Sequence, residues 1–345
     1  MSKSFALLLV LSFLTASGII TFLPVQAEPR TIIVPDDYLT ITDAVGNATE
    51  GDTIFVKNGV YYGPTNQTLL ISKSISLKGE DANNTKILLQ PPIIHYLTGI
   101  TTPLQGYGPP IEIEANSVRL EGFTIESVGG GIYISGDTAE ITGNILNLPV
   151  DTTNINDTKI TNNKMRSLSI SGNDNIIAGN TISGINVRGV KLKGGSFNVV
   201  YNNTFVNVAL GIEGSNNVIY SNRLEYTNLI LESQTRNNTF YGNTFIGKDE
   251  LVSIDATAYG NFWDNGVYGN FWSNYNGTDV FGDGIGDSPY IIDGNNQDRY
   301  PLMEPLLNGE PFERPFPTIL VVLAIVATVA VVGVGLLVYF KKRKR

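Results

Sequence analysis

Residues 199–205 read Val199-Val200-Tyr201-Asn202-Asn203-Thr204-Phe205, and residues 218–224 read Val218-Ile219-Tyr220-Ser221-Asn222-Arg223-Leu224. The pattern returns as Thr239-Phe240-Tyr241-Gly242-Asn243-Thr244-Phe245. Followed in both directions, it marks seven asparagines, Asn144, Asn163, Asn180, Asn203, Asn222, Asn243 and Asn261, spaced 17 to 23 residues apart. Three residues before each the side chain is apolar (Ile141, Ile160, Ile177, Val200, Ile219, Phe240, Ala258), and two after it is apolar again (Leu146, Met165, Ile182, Phe205, Leu224, Phe245, Trp263). A period near twenty is too short for paired helices. It fits one coil of a β-solenoid, whose short strands complete a circuit and pair in parallel with the next coil about 4.8 Å away. The flanking apolar residues then face inward, and each Asn, inward at the same turn, can bond its amide to backbone and to the next Asn. The Asn column is read as structural.

The two ends set the compartment. Lys3, the apolar run from Phe5 to Leu14 and the small-residue site Val25-Gln26-Ala27 read as a cleaved signal peptide, residues 1–27. Residues 318–340 are 23 uncharged, largely apolar positions, about 34 Å as a helix against a hydrocarbon core of roughly 30 Å. Lys341-Lys342-Arg343-Lys344-Arg345 follows at once, which places a short tail in the cytoplasm and the rest of the mature chain outside. A single-pass protein of the cell membrane is expected. Without Lys3 and the five tail charges, 17 of the 23 basic residues remain outside against all 32 acidic ones, a net charge of −15. Nucleic acid is thereby excluded as an expected partner, and a polyuronate would need divalent cations as a bridge. With no cysteine, neither disulfides nor thiolate metal sites are available. Seven Asn-x-Ser/Thr sequons (Asn47, Asn66, Asn83, Asn156, Asn202, Asn237, Asn276) fit a glycoprotein, a reading that rests on location because their number is near what composition alone gives.

Along the chain, Ile32-Ile33-Val34, a short amphipathic stretch from Ile41 to Ala48, and Thr53-Ile54-Phe55-Val56 read as strand, capping helix and first coil. Gln90 to Pro110, with five prolines and the only histidine, His95, reads as an excursion from the coil. Tyr259-Gly260-Asn261-Phe262-Trp263 is echoed nine residues later by Tyr268-Gly269-Asn270-Phe271-Trp272. Nine residues cannot complete a coil, so the second copy is expected to fold over the last one as a cap. The expected division is 1–27 signal, 28–263 solenoid, 264–307 C-terminal cap, 308–317 stalk, 318–340 transmembrane helix and 341–345 tail.

The opening Ile33 to Tyr62, the Asn-x-apolar coils and the closing Gly269-Asn270-Phe271-Trp272 through Asp283-Gly284-Ile285-Gly286-Asp287-Ser288-Pro289-Tyr290 to Tyr300-Pro301-Leu302 resemble NosD-like proteins of the carbohydrate-binding and sugar hydrolase group. The resemblance is to their membrane-anchored members on archaeal cell surfaces. It covers nearly all of the mature chain before the membrane segment and implies an all-β, right-handed parallel β-helix. That fold hosts lyases, hydrolases, epimerases, adhesins and passive surface proteins. The family name also implies copper, but copper takes thiolate, thioether or imidazole ligands, and the mature chain offers only His95, Met165 and Met303. Copper is not expected here.

Four constellations stand out. Two residues before the ladder asparagines, strand alternation turns Tyr201, Tyr220, Tyr241 and Tyr259 outward, either as a surface for sugar rings or as a column that stiffens the coil. Glu213, Glu232 and Asp255 each follow an apolar strand residue and can stand in one column, with Arg188 a coil earlier; they are the candidates if the protein is a calcium-assisted polysaccharide lyase or glycoside hydrolase. Arg119, Glu140 and Lys159 alternate in sign and read as an ion-pair ladder. Asp279, Asp283 and Asp287, interleaved with glycines, match part of a calcium loop, or plain Asp-Gly turns. No Gly-His-Gly or Asn-Thr-Asp motif is present. The leading expectation is a binding or structural module of the envelope, contacting cell-envelope glycans or surface proteins, with catalysis as the alternative.

Overall fold

The computed structural model describes residues 28–96, 104–184, 189–247 and 250–306. The expected signal peptide, stalk, membrane span and basic tail lie outside these residues, as does Arg188. Within them no helix is long and apolar enough to cross a membrane.

The chain winds as a parallel β-solenoid with three walls. Sheet 1 has ten strands, from Thr31–Val34 to Thr239–Tyr241; sheet 2 has ten, from Gly59–Thr65 to Phe271–Trp272; sheet 3 has nine, from Leu69–Ile71 to Val252–Ile254. Each coil visits them in the order 1, 2, 3 and adds one parallel strand to each. The register is set by the alternation of side chains: Val200, Ile219 and Phe240 stack inside sheet 1, while Phe205, Leu224 and Phe245 stack inside sheet 2. A one-residue slip would turn every core residue to solvent.

The predicted Asn column lines the corner between sheets 1 and 2. From Asn163 to Asn243 each member receives two hydrogen bonds from the coil before it and passes two on: Asn203 Oδ1 accepts from Asn180 N and Nδ2, both at 2.9 Å, and Asn203 N and Nδ2 donate to Asn222 Oδ1 at 3.0 Å. The amide also donates to Ile177 O at 2.8 Å, closing the corner. The residue before each Asn sits in left-handed backbone, as Asn202, Ser221 and Gly242 do, a conformation open mainly to Gly and Asn.

One member of the predicted column is misplaced. Asn243 hands on to Asn270, not Asn261. Asn261 ends a second ladder at the corner between sheets 3 and 1, through Asn175, Asn198, Asn217 and Asn238. The twin Tyr-Gly-Asn-Phe-Trp segments therefore serve successive corners of one coil. The first bridges Phe262 to Thr239 in sheet 1, and the second supplies the last strand of sheet 2. Nine residues are the length of one wall with its turn, so the second copy extends the solenoid before the cap begins.

The upper end is covered by α1 (Ile41–Asn47), capped by the Thr40 hydroxyl and burying Ile41, Ala44 and Val45. Lys73 Nζ donates to the carbonyls of Val45, Gly46 and Ala48 at the helix's other end. Asp52, fully buried, accepts from the backbone amides of Arg30 and Thr49. Burial opposes its charge, yet those amides, with the Thr49 hydroxyl and the Arg30 guanidinium, outweigh it and hold the carboxyl at about 2. The folded value lies below the unfolded 3.8, so this stability is present above pH 3.8 and disappears as pH falls toward 2. D52N should flatten the acid limb of a urea-midpoint series between pH 4 and 2 relative to the parent; an unchanged slope would show that Asp52 does not anchor the N-terminus. The expected excursion leaves as an antiparallel hairpin, Ile93–Tyr96 with Leu104–Tyr107, between sheets 2 and 3.

Candidate functional site

On the outer face of sheet 1 the character changes sharply down the solenoid. Its upper half is the predicted ion-pair ladder, extended by two residues: Lys78 to Glu121 at 2.8 Å, Arg119 to Glu140 at 2.8 Å and Lys159 to Glu140 at 3.4 Å. From Ile176 downward the same columns read Ile176, Val199, Val218, Thr239 and, beside them, Ala178, Tyr201, Tyr220, Tyr241. Tyr201 and Tyr220 stack with centroids 5.1 Å apart, and Tyr220 and Tyr241 at 5.2 Å, each pair within 5° of parallel. Tyr268 closes the column edge-on at 5.8 Å. Burial raises the phenol pKa of Tyr220, Tyr241 and Tyr268.

This geometry divides the four predicted tyrosines. Three form the stack, in which Tyr220 is covered on both faces by its neighbours while the upper face of Tyr201 is turned toward the coil of Ala178. Tyr259 stands apart, paired with Arg236 across the corner, and its hydroxyl accepts from that guanidinium at 3.1 Å. The aromatic groups that do offer open surface on this wall are Phe197, Tyr259 and Phe262, all strongly exposed.

Phe197 escaped the sequence reading. It holds the position before a ladder Asn, where neighbouring coils place Asp174, Asn216, Asn237 and Gly260, and like them it has left-handed backbone, with φ at +61°. A bulky residue there costs about 1 kcal/mol. Nothing in the core repays that cost, because the ring is 60% exposed. The signal was available as an aromatic residue standing where the equivalent turns have Ser, Thr, Asp, Asn or Gly.

Sheet 3 brings the carboxylate trio into one register, since Ile212, Leu231 and Ile254 are paired and Glu213, Glu232 and Asp255 follow them. Its electrostatics are those of an ion pair. Lys191 reaches across Gly211, which has no side chain to block it, to bond Glu213, and lies 3.7 Å from Glu232. The Glu213 bond, chiefly, raises the lysine pKa, so Lys191 stays protonated and is no general base. Asp255 turns back on its own chain, accepting from the Thr257 hydroxyl and amide, which lower its pKa.

The Asp-rich loop also spends its carboxylates on backbone. Asp279 accepts from the amides of Gly282, Asp283 and Gly284, Asp283 from Ile285, and Asp287 from Val280. Among the described residues no group of three or more His, Cys, Asp or Glu is placed to hold a metal.

Comparison with known proteins agrees with this architecture. The family model described as periplasmic copper-binding protein (NosD) matches residues 45–277. An alginate lyase from Paenibacillus sp. str. FPU-7 is similar in fold at 15% identity, covering 70% of this chain and 97% of that one with a TM-score of 0.51. Geobacillus virus E2 ORF18 matches at 12% identity over 70% of this chain and 60% of its own, TM-score 0.48. A PL6 alginate lyase in complex with a trisaccharide matches at 13% over 80% and 70%, also at 0.48. No curated protein matches in sequence. The residues present do not fit copper: Met165 is buried in the core, Met303 is a lone thioether, and the sequence has one histidine and no cysteine.

Proposed function

Taking as premise that the chain belongs to the NosD family of parallel β-helix proteins, we propose that it is a membrane-anchored envelope protein that binds neutral glycans on the lower outer face of sheet 1. The observation that carries this reading is Phe197, held exposed in backbone that disfavours it. With Val199 and Val218 between it and the tyrosine column, it borders an apolar strip roughly 13 Å wide, four residues of extended strand. Such a strip suits the apolar faces of two or three sugar rings. The mature chain's charge favours neutral over polyanionic glycans.

The test is saturable binding to a panel of neutral and acidic polysaccharides, with calcium and with chelator. F197N puts a residue suited to left-handed backbone in place of the ring. Binding should fall at least tenfold while the fold gains about 0.5–1 kcal/mol. A structural role for the ring predicts the reverse, lost stability with unchanged binding. Y259A should weaken binding without destabilising, whereas Y220A should destabilise by breaking the stack. No binding across the panel would leave a structural or protein-binding envelope component.

The alternative, a calcium-assisted lyase or hydrolase, would draw on Glu213 and Glu232. Both carboxylates already face the one ammonium of Lys191. E213Q with E232Q should leave glycan binding intact; loss of a measurable turnover would revive the enzyme.

A further inference from the structure

The C-terminal cap shows large apolar side chains where turns ordinarily show polar ones. The loop from Asp279 to Gly284 wraps around the Asp279 carboxylate, whose oxygens take three successive backbone amides. This knot presents Val280 and Phe281 at its tip, 76% and 65% exposed. Close by in the chain, Tyr290 stacks on Trp272 at 4.3 Å to seal the core. Strand alternation then turns Ile291, 60% exposed, away from the solenoid. Val267 is exposed too. These residues contribute nothing to the core, and turn tips in solvent favour Gly, Asn, Asp and Ser.

We infer that the cap rests on a lipid bilayer, with Val280, Phe281 and Ile291 entering its interface. The occupant follows from where the chain leads. The last described residue, Leu306, packs beside Gly242 on the last coils, and only eleven residues separate it from the uncharged stretch 318–340. Fully extended, they span no more than about 40 Å. The inference therefore rests on the membrane anchor of the proposed function. The solenoid end carrying the apolar tip is the end tethered to the bilayer. The surface of the cap is acidic, with Asp279, Asp283, Asp287, Asp293 and Glu304 outside the core and Arg299 already paired to Asp264, so the matching surface is zwitterionic or neutral lipid, and anionic lipid should repel it.

The absence of cysteine makes the test direct. Full-length F281C, I291C and, at the opposite end, Y62C carry a nitroxide in zwitterionic vesicles. Accessibility to oxygen relative to a water-soluble nickel chelate should be severalfold higher at 281 and 291 than at 62, and should drop when anionic lipid is mixed in. In I291C, the added pair V280D and F281D, at exposed tip positions that cost the fold little, should return the 291 label to the aqueous value. Aqueous values at all three sites in protein that resists alkaline extraction would overturn the docking while leaving the anchor. Protein released by alkali would overturn the anchor and the docking together.

Discussion

N203A should be among the most damaging single substitutions in the solenoid, lowering stability by on the order of 4 kcal/mol. The side chain is buried and serves five partners at once. Alanine leaves Asn180's amide groups without their acceptor and Ile177 O without its side-chain donor. Each buried group left unpaired costs about 1–3 kcal/mol. Because coils interact only with their neighbours, a break in the middle should also divide the transition. Urea unfolding followed by tyrosine and tryptophan signals should give two partial transitions with a reduced slope for each. N203D should be equally severe, since a carboxylate accepts from Asn180 but turns an acceptor toward Ile177 O, Tyr201 O and Asn222 Oδ1. A loss below about 1 kcal/mol in N203A would mean that the ladder is filler, its groups served equally well by water.

The features the sequence made legible are those that recur at fixed local offsets. The Asn corner, the flanking core positions and the ion-pair ladder of Arg119, Glu140 and Lys159 could be read because each coil repeats them. What failed was assignment of copies to corners. Asn261 has the same neighbours as Asn270, and only the pairing of Thr239 with Phe262, and of Thr244 with Phe271, separates them. The second ladder was hidden for a related reason. Asn198, Asn217 and Asn238 lie five residues ahead of the first ladder's members and pass for ordinary polar turn residues. For the carboxylate trio the alignment was legible and the chemistry was not, because it depends on a lysine long enough to cross a glycine gap. In the Asp-rich loop the order of Asp and Gly was legible, while the acceptance of backbone amides by the carboxylates was not. The tyrosine stack shows the opposite limit: adjacency in register was foreseeable, while the covering of the ring faces follows only from coil spacing.

The second large effect is expected at the lower end, where Asp298 closes the first ladder. It stands where the next Asn would be, accepting from Asn270 N at 2.6 Å and from Trp272 Nε1 at 2.9 Å. A terminal member needs only to accept, which is why a carboxylate can serve. It approaches so closely that a Cβ on residue 269 would overlap it, which fixes glycine there. Burial raises its pKa to about 6, against the pull of those donors. With the folded value above the unfolded 3.8, the stabilising proton is fully present below pH 3.8 and is lost as pH rises through about 6, a span worth about 3 kcal/mol. Trp272, sandwiched between Phe245 and Tyr290 at 4.3 Å on either side, shields that carboxylate. W272A should cost about 3–5 kcal/mol at pH 5 through lost burial and stacking. By admitting water it should also pull the Asp298 pKa back toward its ordinary range, so the parent's fall in stability between pH 4 and 6 should flatten in the variant. Melting curves across that range separate the two roles. A uniform drop with the pH slope intact would show that Trp272 only fills space, and an unchanged midpoint would show that the cap does not limit the stability of the coils above it.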